Sequence, residues 1–75
     1  MILADLTPRH FGHRIAIPDL HDPGTDWDAP KVTVAGVLTG LSWARYDRAM
    51  VFVRLAPKSA ALDTPLPLTW PCEVQ

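Results

Sequence analysis

With 75 residues the chain is long enough for one domain and not for two. A domain of this size buries only about 60% of the surface its unfolded chain exposes, so its stability margin is thin and self-association would widen it. A hydrophobic content of 48% excludes disorder, and a formal net charge of −1 excludes a global field that would draw the protein to nucleic acid or to an anionic membrane; any such contact needs a local patch.

Residues 2–12 open the chain with a short helix or turn. Thr7-Pro8 fits an N-cap followed by proline at the first helical position, with Phe11-Gly12 closing a single turn. The alternative is a turn capped by Asp5 with nothing regular after it. Residues 13–18 read as a first short strand, with Ile15 and Ile17 on one face and Pro18 ending the run or placing it at an edge. Residues 19–30 form the clearest loop. It holds the turn dipeptide Pro23-Gly24, four aspartates (Asp19, Asp22, Asp26, Asp28) and one tryptophan, Trp27. A long loop in a small domain is a candidate for function.

Residues 31–42 are the strongest strand, with Val32, Val34 and Leu38 on one face and Thr33 and Thr39 on the other. The alternation is expected to slip around Ala35-Gly36-Val37, and glycines at 36 and 40 mark a bend or bulge. Residues 43–48 read as a polar-aromatic connection, and residues 49–56 as the next strand, with Val51, Val53 and Leu55 inward. A second loop spans 57–65. Residues 66–75 then alternate with period two, placing Leu66, Leu68, Trp70, Cys72 and Val74 on one face. Pro67 and Pro71 cannot donate to a ladder, so this last strand is expected at an edge, where it invites pairing with a second copy. Four or five bent strands of this kind predict a mostly-β fold, a small barrel rather than a flat sheet.

Few groups suit catalysis. The single cysteine excludes an internal disulfide, and its place on the alternating apolar face reads as a buried small hydrophobe rather than a nucleophile. Ser42 and Ser59 have no adjacent histidine, and there is no glycine-rich phosphate loop. A chain this short lacks room for a catalytic cleft with a supporting shell, so an enzyme is not expected. His10, His13, His21 and Cys72 form a possible zinc set; the plainer reading is three surface histidines near a strand entrance, and no metal or cofactor is expected. The four loop aspartates lack the register and closing glutamate of a calcium loop, and read as a solvated acidic loop.

Two surfaces are candidates for binding. Asp26, Trp27 and Asp28 place an aromatic anchor in an acidic loop, suited to a basic protein partner. Trp43, Arg45, Tyr46, Arg48 and Arg54 interleave arginines with aromatics, a pattern that stacks and pairs with single-stranded nucleic acid; the plainer reading is an ordinary charged loop.

The stretch Gly36-Val-Leu-Thr-Gly40-Leu, followed by Tyr46-Asp47-Arg48-Ala49-Met50-Val51-Phe52-Val53-Arg54-Leu55, resembles the first motif of the Sm-like family, and Phe11-Gly12-His13-Arg14-Ile15 resembles that family's first strand after its short helix. The resemblance implies an SH3-like barrel of five strongly bent strands, ring formation through edge strands, and RNA binding. Val51 stands where the family has its base-contacting asparagine, the connection at 42–46 is longer, and Leu68-Thr-Trp-Pro-Cys-Glu lacks the Arg-Gly pair of the second motif. The barrel is therefore the part that the resemblance carries over.

The expected protein is a non-enzymatic binding or adaptor module, with an edge strand open to self-association, and with Sm-like binding of RNA or single-stranded DNA as the alternative. Its partner is a protein or a second copy, and no small-molecule substrate is evident. The opening Met-Ile-Leu-Ala-Asp has no basic region before a long apolar one, and no apolar run approaches a membrane span, so a cytoplasmic protein with no membrane partner is expected. Five arginines to two lysines, no asparagine and frequent Ala, Asp and Pro are what a GC-rich genome writes. An actinobacterial phage protein binding a host or virion component fits that bias.

Overall fold

A computed structural model describes all 75 residues. Five strands form one antiparallel sheet: β1 (Arg14–Leu20), β2 (Val32–Ala44), β3 (Asp47–Ala56), β4 (Leu66–Pro67) and β5 (Glu73–Val74), in the order β4-β3-β2-β1-β5. The helical content is limited to single 3-10 turns at Leu3–Asp5, Pro8–His10 and Ala60–Leu62. The turn after Thr7-Pro8 forms as expected, and the turn capped by Asp5, weighed as its alternative, forms ahead of it rather than in its place. Asp5 Oδ2 accepts from Ile2 N at 3.1 Å, and Thr7 precedes Pro8 as N-cap while His10 Nδ1 accepts from Thr7 N at 3.0 Å. Gly12, at φ 86°, ends that segment in a backbone conformation that side-chain-bearing residues avoid.

The inward residues of β2 and β3 follow the period-two pattern. Ile15, Ile17, Leu38 and Cys72 are fully buried, joined by Val51, Val53 and Leu55, and each such aliphatic side chain contributes about 1.5–3 kcal/mol by leaving water. Leu3 and Leu6 close the core from the N-terminal segment, and Leu20, Leu62 and Leu66 close it from the other side.

The strand ends depart from expectation in four ways. β1 runs on through Pro18 to Leu20 by means of a bulge between Ile17 and Leu20, where Asp19 adopts φ 60°. In β2 the phase holds through Gly36, which is buried, and slips between Leu38 and Gly40, at the second of the two glycines expected to mark a bulge, and again between Trp43 and Ala44. A Cβ on Gly36 would lie 2.9 Å from the Ala56 carbonyl oxygen, so glycine lets β2 press against β3 without a bulge; the first slip falls where Thr39 Oγ1 donates to the Arg54 carbonyl at 3.1 Å. The 43–48 connection is a hairpin: Trp43 pairs with Val51 and Ala44 with Asp47, leaving Arg45-Tyr46 as the turn.

The long last strand is broken at Leu68-Thr69, where Trp70 N donates to the Pro67 carbonyl at 2.9 Å. Pro67 and Pro71 have no N–H for a ladder; two residues on either side of the turn form strands, β4 with β3 and β5 with β1, and Pro71 adds an isolated bridge to Ile2. The sheet is accordingly not closed into the expected barrel. The N-terminal segment reaches across instead: Leu3 N donates to Trp70 O at 2.9 Å, Ala4 N to Leu68 O at 3.0 Å, and Cys72 N to Met1 O at 2.9 Å. β4 covers only Met50 and Val51 of β3. Beyond them the 57–65 loop lies against the strand, and Val53 and Leu55 are buried. No helix is long and apolar enough to cross a membrane.

Candidate functional site

The loop after β1 folds as two successive turns. Asp22 accepts from Gly24 N through Oδ1 at 3.0 Å and from Thr25 N through its carbonyl at 3.0 Å, so Pro23-Gly24 reverses the chain as its composition demands. The second turn is closed by Ala29 N donating to the Asp26 carbonyl at 3.0 Å. Folding back in this way sets His21 against Trp27. Their rings stack with centroids 4.1 Å apart and planes 9° from parallel, while Lys31 Nζ lies 5.7 Å from the indole centre. Trp27 nevertheless remains 79% exposed. Asp26 and Asp28, on either side of it in sequence, are exposed as well.

This loop forms one wall of a cleft of about 560 Å³. Ala60 and Ala61 of the facing 3-10 turn form the other wall, with Leu20, Leu66 and Trp70 contributing the apolar lining and Asp19 and Lys31 the charges. Trp70 packs against the core, as its inward position implied, and also lines the cleft; its Nε1 donates to the Pro18 carbonyl at 2.9 Å. That carbonyl sits at the β1 bulge, where Asp19 takes its left-handed conformation, so the indole braces the strand end that carries the acidic rim.

The second candidate set is divided. Trp43, Arg45 and Arg48 line a depression at the tip of the β2–β3 hairpin. Trp43 is 62% and Tyr46 89% exposed, and the Arg45 guanidinium lies 5.3 Å from the Tyr46 ring centre. Asp47 shares this tip, its Oδ1 accepting from Ala49 N at 2.9 Å. Arg54 does not join them. It pairs with Gly40 whereas Trp43 pairs with Val51, and the alternation along β3 directs Arg54 to the opposite face of the sheet, beside Phe52, Lys58 and Asp63.

The metal candidates are also dispersed. His10 closes its own turn, His21 stacks on Trp27 and Cys72 lies in the core, and no three His, Cys, Asp or Glu side chains converge. Burial pushes the Cys72 thiol above its ordinary pKa; the Met1 ammonium draws it part of the way back and the Asp5 carboxylate raises it again. An un-ionised, buried thiol is a poor nucleophile.

The sequence singles out Trp27 as a candidate but not its setting. His21 and the Ala60–Ala61 turn become part of the site only through tertiary folding, and the one local signal was the Pro23-Gly24 reversal that brings residue 21 back to residue 27. No family model matches the chain, and no curated protein and no solved structure matches it either.

Proposed function

We propose that this chain is a non-enzymatic binding module that docks a partner protein at the Trp27 cleft. The observation that carries the reading is Trp27 itself: a large aromatic left 79% exposed, yet stacked face to face on His21. Tryptophan is a favoured interface anchor, and holding it in place before the encounter removes part of the ordering cost of association. The apolar lining of Leu20, Leu66 and Trp70 offers somewhere for a neighbouring side chain to go.

The small SH3-like, Sm-like type is our reading of the architecture. It is supported by the single five-stranded antiparallel sheet, the glycine-permitted approach at Gly36 and the short turns ahead of β1. Self-association is the lesser part of the proposal, resting on the two-residue edge strands β4 and β5. Light scattering at micromolar concentration tests it, and a monomer at every concentration removes it. If the chain is phage-encoded, the partner is a host or virion protein in the cytoplasm.

Capture from lysate of the source cell, run in parallel with wild-type and Trp27→Ala protein, tests the main reading. Partners held through the cleft are present with the first and absent with the second; identical captures contradict the proposal. A second reading rests on the exposed Trp43 and Tyr46 beside Arg45 and Arg48, which suit base stacking and phosphate pairing. Fluorescence anisotropy with single-stranded RNA and DNA at two salt concentrations decides it. Salt-dependent binding weakened by Arg45→Ala and Arg48→Ala supports the reading, and no binding at low salt ends it.

A further inference from the structure

We infer that the Trp27 site receives a cationic side chain of the partner, arginine above all, and that Lys31 holds that place in the free protein as a built-in competitor. The inference rests on the docking role proposed for the cleft and specifies its chemistry.

Trp27 presents a π-surface, and the segment from Asp19 to Lys31 carries four aspartates and a single lysine. An indole in a surplus of carboxylates attracts cations from the ring and from its surroundings alike. The chain's own cation already responds to this field: the Lys31 ammonium lies 5.7 Å from the ring centre. Lys31 is exposed and sits on a flexible stem, so its hold is weak. Displacing an exposed contact of this kind costs a ligand about two- to fivefold in affinity.

Arginine is the better occupant. Its planar guanidinium stacks on aromatic faces, is less strongly hydrated than an ammonium, and presents a fork of donors to a carboxylate such as that of Asp19, which lines the cleft. The apolar lining of Leu20, Leu66 and Trp70 then accepts an apolar side chain near that arginine. The ligand class is therefore a basic segment of a protein in which arginine and an aliphatic residue lie close together, rather than an acidic or a neutral one.

Calorimetry with two short peptides of alternating arginine and leucine, one of them carrying citrulline in place of arginine, tests this on the intact chain. Citrulline keeps the planar shape and removes the charge. The arginine peptide is expected to bind more tightly than the citrulline peptide, and Lys31→Gln to raise the arginine peptide's affinity about two- to fivefold while leaving the citrulline peptide unaffected. Lys58→Gln, the same charge change made outside the cleft, is expected to leave both unchanged, with circular dichroism verifying that each variant is folded. An unchanged or lowered arginine-peptide affinity in Lys31→Gln, or an equal gain in Lys58→Gln, overturns the competitor role. Equal binding of the two peptides overturns the cation site and leaves the cleft as a docking surface. Binding of neither peptide at millimolar concentration also overturns the cation site, and the docking role is then judged separately by the Trp27→Ala capture.

Discussion

The Trp70 indole Nε1 donates to the Pro18 carbonyl oxygen at 2.9 Å, joining the segment between β4 and β5 to the bulged end of β1. One side chain thereby lies against the core and braces the strand end that carries Asp19 to the cleft rim. Trp70→Phe keeps an aromatic ring but removes the donor together with part of the indole's packing surface. The expected cost is about 1–3 kcal/mol, toward the lower end because the site is only half-buried. Urea denaturation measures it, and an unchanged midpoint would show that the bond holds nothing.

Gly36 and Gly40 lie four residues apart on β2 and respond differently to a methyl group. At Gly36 a Cβ would stand 2.9 Å from the Ala56 carbonyl oxygen and 3.1 Å from Leu55 Cβ; at Gly40 the nearest atom is Arg54 Cδ at 3.6 Å. Gly36→Ala is therefore expected to destabilise by about 1–3 kcal/mol through overpacking. Gly40→Ala is expected to be neutral or stabilising by up to about 1 kcal/mol, because alanine restricts the unfolded chain. Thermal melts of the two variants side by side check the contrast, and equal losses would contradict it.

Asp19 at φ 60° occupies a region that aspartate tolerates and β-branched residues do not. Asp19→Val is expected to cost about 1–2 kcal/mol, with Asp19→Gly near neutral. Chemical denaturation of both variants measures the difference, and a valine variant as stable as wild type would refute the account of the bulge.

Cys72 links stability to alkaline pH. Burial keeps its thiol protonated in the fold under conditions that ionise it in the unfolded chain. A raised folded pKa means that this contribution is whole below the unfolded thiol's range and is lost as pH rises from there through the folded value. Above about pH 8.5 the wild type should lose stability more steeply than Cys72→Val. Urea midpoints across that range measure the two slopes, and equal slopes would contradict the burial argument.

The sheet was largely legible because alternation reports directly on a half-buried strand. Val32, Val34 and Leu38 on β2 and Val51, Val53 and Leu55 on β3 were placed correctly by that rule alone. What it could not reveal was where the phase breaks. Two glycines looked alike in sequence, yet Gly36 keeps the register by permitting close approach, and the expected bulge forms only at Gly40, beside Thr39, whose hydroxyl meets the Arg54 carbonyl. The alternation survives in the buried Leu66 and Cys72 but not in Val74, which is exposed; Pro67 and Pro71 remove ladder donors, and the chain turns at Leu68-Thr69. With β4 and β5 cut to two residues each, barrel closure was lost as well. In the site, Trp27 stood out by composition, whereas the His21 stack and the Ala60–Ala61 wall depend on contacts that no local pattern encodes.

The most direct measurement uses the three indole N–H signals of Trp27, Trp43 and Trp70 in a proton–nitrogen NMR spectrum, titrated first with the arginine-leucine peptide and then with a short single-stranded oligonucleotide. A partner seated in the cleft moves the Trp27 signal saturably, moves that of Trp70 less, and leaves Trp43 still. A still Trp27 signal, with Trp43 responding to the oligonucleotide alone, would contradict the cleft as the working surface and transfer that role to the hairpin tip.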